Sequence, residues 1–463
     1  MLGWNKGKSA VVSSTPYGRE SMEKSPRLST SDSYVSKLSE GSYEDEDDDY
    51  VPEPVPRLRK KWRSSLLDHN EPYEKPWLEI KEPKKIWERV IFFFGCACGA
   101  GLGIWLCVSS YTKNANHAYC LVMEDDFKTL DTSTWNFEIQ RGGFNEGSFE
   151  WTTNDRSNVF VDKHGLHIVP TLTTETTSIT ERQLNDGYTL NLTATGECTS
   201  RKAEDCAVVS NSSAGYLINP VRSGRINTKG HKAIKYGRVE VVAKMPKGDW
   251  IWPSIRMMPV DEAYGAWPAS GEIDIAMLRG NALDAVKDGR DTMTSTLHWG
   301  PEEGMDASFR TIGGHFLKRR DYSDGFHTFG LEWGPSHIYT YLDGRPLQVF
   351  FVSFPEGSSM WDQGKFSSQA RLYNDPWSWT GNPNTPFDKP FYLILDVAVG
   401  GTNGWWVQGQ GEKPWDNSDP TAAHAFYEAK DVWYPTWGKG SSKGMTVKSV
   451  KMWELGKCGS ASN

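Results

Sequence analysis

Two carboxylates set two apart in an otherwise apolar run are the residues of this chain best suited to chemistry. They are Glu272 and Asp274, in Trp267-Pro-Ala-Ser-Gly-Glu-Ile-Asp-Ile-Ala-Met-Leu-Arg-Gly-Asn281. Side chains alternate along a strand, so both acids project to one face while Ile273 and Ile275 pack behind. A carboxylate pair on a concave face suits glycoside chemistry, in which one carboxyl attacks and another moves a proton. On spacing alone a solvated acidic edge is the commoner reading of such a pair. His298 could hydrogen-bond a sugar or Asp274, or serve only structure. Arg279, just past the motif, could reach the carboxylates or glycan hydroxyls, and Arg238 is open between the same uses.

Aromatic residues form the second candidate set. Trp250, Trp252, Trp267, Trp299, Trp333, Trp405 and Trp406 each sit beside Gly, Pro or another aromatic. A sugar ring presents an apolar C–H face edged by hydroxyls, so a glycan groove needs flat aromatics flanked by polar groups. About half of these tryptophans are expected in the groove, with Trp252, Trp267 and Trp299 as binding residues, and the rest in the core.

The elements that position them read as strands. From 118 to 458 short apolar or aromatic runs alternate with Gly, Pro, Asn and Asp, as in Gly165–Val169, Tyr236–Ala243 and His337–Leu342. Helical periodicity is nearly absent outside Thr421–Ala429, so this span is expected to be one large all-β, two-sheet sandwich. Residues 1–85, rich in Ser, Pro and charge, are expected to be a disordered cytoplasmic arm. Its acidic block Glu44–Asp49 precedes a basic cluster of Arg57, Arg59, Lys60, Lys61 and Arg63 that could lie on anionic lipid.

Between them, the uncharged run over 90–111 is long enough for a transmembrane helix, which needs about 20 apolar residues. Lys81, Lys84, Lys85 and Arg89 precede it and the acidic Glu124, Asp125 and Asp126 follow, so the positive-inside bias predicts a single-pass type II protein. A cleaved signal peptide would need its apolar core after a short basic start. Gly95 and Gly99 make one small-xxx-small pair, and the oligomeric state stays open. Of seven cysteines, Cys120, Cys198, Cys206 and Cys458 follow the span. In a lumenal or extracellular, oxidising compartment they can form two disulfides. Of three connectivities, Cys198–Cys206 with Cys120–Cys458 is favoured. Asn191 and Asn211 lie in N-glycosylation sequons of the same part. The net charge of -8, without a basic stripe, argues against nucleic acid as a partner. Neither zinc spacing nor a phosphate-cradling Gly-rich loop is present, so no cofactor is expected; a structural calcium would leave no sequence signature.

The segments Asn219–Asn227, Tyr236–Glu240, Lys244–Pro253, Leu297–Pro301, Phe326–Trp333, Tyr392–Gly404 and Trp433–Trp437, with the motif itself, resemble in order glycoside hydrolase family 16. That family includes the laminarinase-like β-glucanases and the β-1,3-glucan-binding proteins. The resemblance implies a concanavalin-like β-jelly roll with a glycan groove across one curved sheet. The family strand reads Glu-x-Asp-x-x-Glu, a β-bulge returning the last Glu to the catalytic face. It implies Glu272 as nucleophile, Asp274 as the residue that orients it, and Met277 at the acid/base position. A thioether cannot donate a proton, and neither could Ala276 were the bulge absent. Glu302, Glu303 or Asp284 could compensate. The expected function is recognition of β-glucan with hydrolysis weak or lost. The alternatives are an active retaining hydrolase or transglycosidase of cell-wall polysaccharide, as the type II arrangement of fungal β-glucan assembly proteins suggests, and a module without glycan affinity.

Overall fold

The computed structural model describes residues 74–79, 83–114, 118–283, 285–369, 374–456 and 458. Most of the arm expected to be disordered therefore lies outside the described residues; within it, Pro76–Glu79 form one helical turn. The long helix begins at Pro83, a residue whose fixed φ suits a first helical turn, and runs to Asn114. Within Lys84–Ser109 an 18-residue window reaches mean hydropathy 2.1, which makes the helix long and apolar enough to cross a membrane.

Residues from Tyr119 onward form a β-sandwich. One antiparallel sheet has the strand order Ile312–Phe316, Thr292–His298, Glu272–Leu278, Ile251–Pro259, Phe391–Val399, Arg225–Asn227, Asn136–Phe137. The other runs Gln348–Ser353, His337–Leu342, His327–Trp333, Gly237–Lys244, Met445–Leu455, Gly165–Ile168, Val159–Asp162, with Tyr119–Asp125 also paired to Met445–Leu455. Apolar side chains from both inner faces, among them Ile255, Ile273, Leu297, Val239, Leu331 and Ile338, are fully buried between the sheets. Thr340 Oγ1 donates to Ser295 Oγ across the gap at 2.8 Å, which pairs these two polar groups inside the sandwich. Gly237–Lys244 alternates buried and half-buried residues, as a strand with one wetted face should. Glu272–Leu278 and Phe391–Val399 are buried throughout, because both lie inside their sheet and loop residues such as Glu146 pack on its outer face.

Both favoured disulfides are formed. Cys120–Cys458 closes a separation of 338 residues and Cys198–Cys206 one of 8. On a chain-entropy estimate these restrict the unfolded chain by roughly 5–6 and about 2.5 kcal/mol. The short helix is present as Ala422–Glu428. Asn191 and Asn211 are exposed on the hairpin Asp186–Asn191/Ala207–Asn211.

Candidate functional site: a carboxylate-lined groove

The bulge in the motif strand is visible in its register. On one side Asp274 pairs with Arg256 and Met277 with Ser254; on the other Asp274 pairs with Thr296 and Met277 with Thr294. Ile275 and Ala276 together oppose single residues, and both point into the core. Glu272, Asp274 and Met277 consequently share the groove face, where Met277 is 8% exposed between Ser254 and Thr294.

Around Glu272 the contacts are polar and specific. Its Oε2 accepts the Trp267 indole N–H at 2.8 Å, and its Oε1 lies 3.2 Å from Arg256 Nη1. Opposite Glu272 on the next strand, His298 bonds Asp274 Oδ2 through Nε2 at 3.1 Å and Asp306 Oδ2 through Nδ1 at 2.7 Å. Burial alone would lower the His298 pKa, but hydrogen bonds to the two aspartates lift it well above the usual histidine value. Burial pushes Asp306 the other way, yet the same hydrogen bond holds it below the usual carboxylate range. His298 is thus an imidazolium donating from both nitrogens. Glu272, Asp274 and His298 offer ligand atoms within 4.8 Å of one another, the spacing of a metal site. The Arg256 guanidinium and protonated His298 already supply positive charge at those atoms.

Sequence reasoning missed the ion network beside them. Arg256 Nη1 also donates to Glu146 Oε1, its Nε to Ser254 Oγ at 2.9 Å, and Asp396 lies 3.5 Å from Nε. Ser254 Oγ donates to Asp396. Farther along, Arg225 binds Glu138, and its guanidinium covers the Phe144 ring at 4.1 Å. Burial raises the Glu146 pKa, against the opposing pull of Arg256. A signal for part of this existed: Ser254 and Arg256 share a face of an apolar strand, and Asp396 is the lone charge in Phe391–Val399. Glu146 sits in a loop, where no periodicity points anywhere.

The tryptophans correct the expected half-and-half division. Five of the seven, Trp250, Trp252, Trp299, Trp333 and Trp406, are buried. A large indole core is favourable where each N–H finds an acceptor, as Trp299 does at Thr311, Trp333 at Phe387 O and Trp406 at Gly400 O. Trp299 is packed against Phe366 and Trp377 in the core and lines no groove. Trp252 is 1% exposed and stacks at 5.7 Å on half-buried Trp405, which forms the surface instead. Arg279 does not reach the carboxylates: it lies 4.0 Å over the Trp405 ring and donates to Trp405 O at 2.7 Å. Burial brings its pKa down to about 10. Arg238 belongs to the other sheet, bound to Glu332. Glu302 and Glu303 are exposed, and Asp284 lies outside the described residues. Asp274 Oδ1, Arg256 Nη2, Trp252 Nε1 and Trp405 Nε1 are buried without a partner in the protein. Unpaired buried polar atoms are uncommon, and these four cluster around Glu272 and Trp405.

Residues 171–369 match glycosyl hydrolases family 16. The chain is 38% identical over 345 residues to a β-1,3-glucan-binding protein of Penaeus monodon, covering 73% of this chain and 90% of that one. It is 31% identical over 296 residues to glucan endo-1,3-β-glucosidase A1 of Niallia circulans, covering 61% of this chain and 34% of the relative. Superposition on the laminarinase catalytic domain of Thermotoga maritima gives a TM-score of 0.44 at 23% identity, over 73% of this chain and 99% of that one.

Proposed function

The chain belongs to glycosyl hydrolases family 16, and we propose that within it the groove recognises β-1,3-linked glucan while hydrolysis is weak or lost. The carrying observation is Met277, whose side chain occupies the groove face where the bulge delivers the family's acid/base position. Glu272 has what a nucleophile needs, two donors, Arg256 and Trp267, fixing the orientation of its carboxyl. Asp274 and the His298 imidazolium orient and balance it. Natural glucan has a poor leaving group, so loss of the general acid slows cleavage by about 10²–10⁴-fold. Binding survives that loss in this reading, because the half-buried rings of Trp267 and Trp405 on which a sugar can stack do not depend on Met277.

The helix Pro83–Asn114 is, in this reading, a signal anchor with type II topology, the glucan domain lying in an oxidising lumen or outside the cell. Two disulfides and two exposed sequons support it. N-glycans at Asn191 and Asn211 would show as two mobility steps on glycosidase treatment, one lost in each Asn→Gln variant; a protein made in its host with no such shift would overturn the topology.

The function is tested with the full chain in detergent, by calorimetric titration with laminarin oligomers and by their turnover. Affinity is expected with slow release of reducing ends, and Met277→Glu is expected to raise laminarin turnover by about 10²-fold or more. A protein without affinity, or one that already cleaves laminarin at the rate of its Met277→Glu variant, contradicts the reading.

A further inference from the structure

Whereas Met277 lies beside Ser254 and Thr294, Glu146 reaches the motif strand's outer face through Arg256. Its turn, the single 3₁₀ turn Gly143–Asn145 with its flanks, holds Gly143, Phe144, Asn145 and Gly147 at φ between 53° and 66°. For Phe144 that conformation costs on the order of 1–3 kcal/mol, a strain kept where the surroundings over-determine a position. Those surroundings are the Arg225 guanidinium over the Phe144 ring and the Glu146–Arg256 bond. The Glu146 side chain remains 19% exposed, open to a groove ligand.

One guanidinium nitrogen, Arg256 Nη1, bonds both Glu146 Oε1 and Glu272 Oε1. Two hydrogen bonds meeting at one nitrogen hold their acceptors no more than about 6 Å apart. Retaining glycosidases keep their two carboxyls about 5–5.5 Å apart, inverting ones about 6.5–9.5 Å. We infer that Glu146 is a catalytic acid/base for glucan cleavage at this site, paired with Glu272 across Arg256 in place of the carboxyl that Met277 lacks. This rests on the reading of the groove as a glucan site and gives its weak hydrolysis a route.

The chemistry balances in two displacements. Glu272 attacks the anomeric carbon and forms a glycosyl ester as the glycosidic C–O bond breaks, and protonated Glu146 gives its proton to the departing oxygen. Ionised Glu146 then takes a proton from water, whose oxygen attacks the same carbon and releases Glu272. Burial favours the protonated form of Glu146 at the start, and Arg256 steadies the carboxylate formed after transfer.

The test uses the full chain in detergent, with laminarin and with a 2,4-dinitrophenyl laminarioligoside whose leaving group needs no proton. Glu146→Gln is expected to lower laminarin turnover by about 10²-fold or more at unchanged laminarin affinity, while the dinitrophenol burst persists. In Glu146→Ala, azide, which attacks without a general base, should restore steady-state turnover and give the β-glycosyl azide. Adding Met277→Glu to Glu146→Gln should return laminarin cleavage. The inference is overturned if the unaltered chain binds laminarin without cleaving it, if Glu146→Gln cleaves it as the parent does, or if neither azide nor Met277→Glu restores activity. Absence of laminarin affinity in the unaltered chain would instead remove the glucan reading itself.

Discussion

Two glutamates lie buried on sheet faces that point away from the core, and they have opposite surroundings. Glu332, 3% exposed on the eight-stranded sheet, accepts from Tyr119 Oη, from Arg238 Nε at 3.1 Å and from Arg345 Nη2 at 3.3 Å. Tyr119 and Arg345 lie against it and the Arg238 guanidinium stacks 4.7 Å over the Tyr119 ring, so its surroundings are closed. Glu272, 6% exposed on the groove sheet, shares its guanidinium with Glu146, and its neighbours Asp274 Oδ1 and Arg256 Nη2 have no partner in the protein. Burial and residue type are the same in both places. The difference is unused hydrogen-bonding capacity, which in a desolvated place is costly unless a ligand or water takes it up.

Substituting the two acids should separate these roles. Glu272→Gln is expected to reduce turnover of the dinitrophenyl glycoside by about 10⁴-fold or more while the melting temperature moves little. Glu332→Gln should leave that turnover alone and lower stability, read by denaturant unfolding, by about 2 kcal/mol. The figure lies below the 3–5 kcal/mol typical of a fully buried pair, because the Arg345 side chain is 43% exposed. Equal losses of activity from both would erase the contrast.

The tryptophans sharpen it at smaller scale. Trp299→Ala should destabilise the domain by about 3–5 kcal/mol, as removal of a buried indole does elsewhere. Trp267→Phe keeps a ring but removes the N–H that Glu272 accepts. Its expected effect is a drop of about 10- to 100-fold in activated-substrate turnover with near-normal stability, since one hydrogen bond to a carboxylate is worth about 1.5–3 kcal/mol. Should Trp299→Ala fold normally and lose only glucan affinity, the placement of Trp299 in the core would be wrong.

The smallest effect concerns pH. His298 is held protonated in the fold by Asp274 and Asp306, so its folded pKa lies above the unfolded one, near 6.5. Below about pH 6.5 both states are protonated and the stabilisation is fully present; it is lost as pH rises through the folded pKa. The His298 ring resonances should therefore titrate well above pH 6.5, and Asp306→Asn should move that midpoint down. A midpoint near 6.5 in the parent chain would mean that the aspartates do not hold the proton.

Much of the scaffold was legible along the chain. The strands Gly165–Ile168, Gly237–Lys244 and His337–Leu342 lie where alternation and β-branched or aromatic content put them, and the helix Ala422–Glu428 follows Asp419-Pro420. These are local patterns, and local patterns survive in one dimension. The cysteine pairing was legible for another reason: four cysteines allow few connectivities, and a short loop favours one. Arg256 was missed because a single arginine in an apolar strand has no period, and its importance arises only from what stands opposite it.

By itself the sequence determined the class of the fold, the motif strand and the chemistry its residue types permit, because alternation and functional-group identity do not depend on distant parts of the chain. It also determined that position 277 cannot move a proton, since no fold gives a thioether an ionisable hydrogen. Only the tertiary structure decided which tryptophans are core, that Arg279 clamps Trp405 rather than a carboxylate, and that Glu146, remote in sequence, meets Glu272 at Arg256. Those outcomes depend on which strands become neighbours and which loops close over them, and burial and pairing are properties of that arrangement rather than of any residue in it.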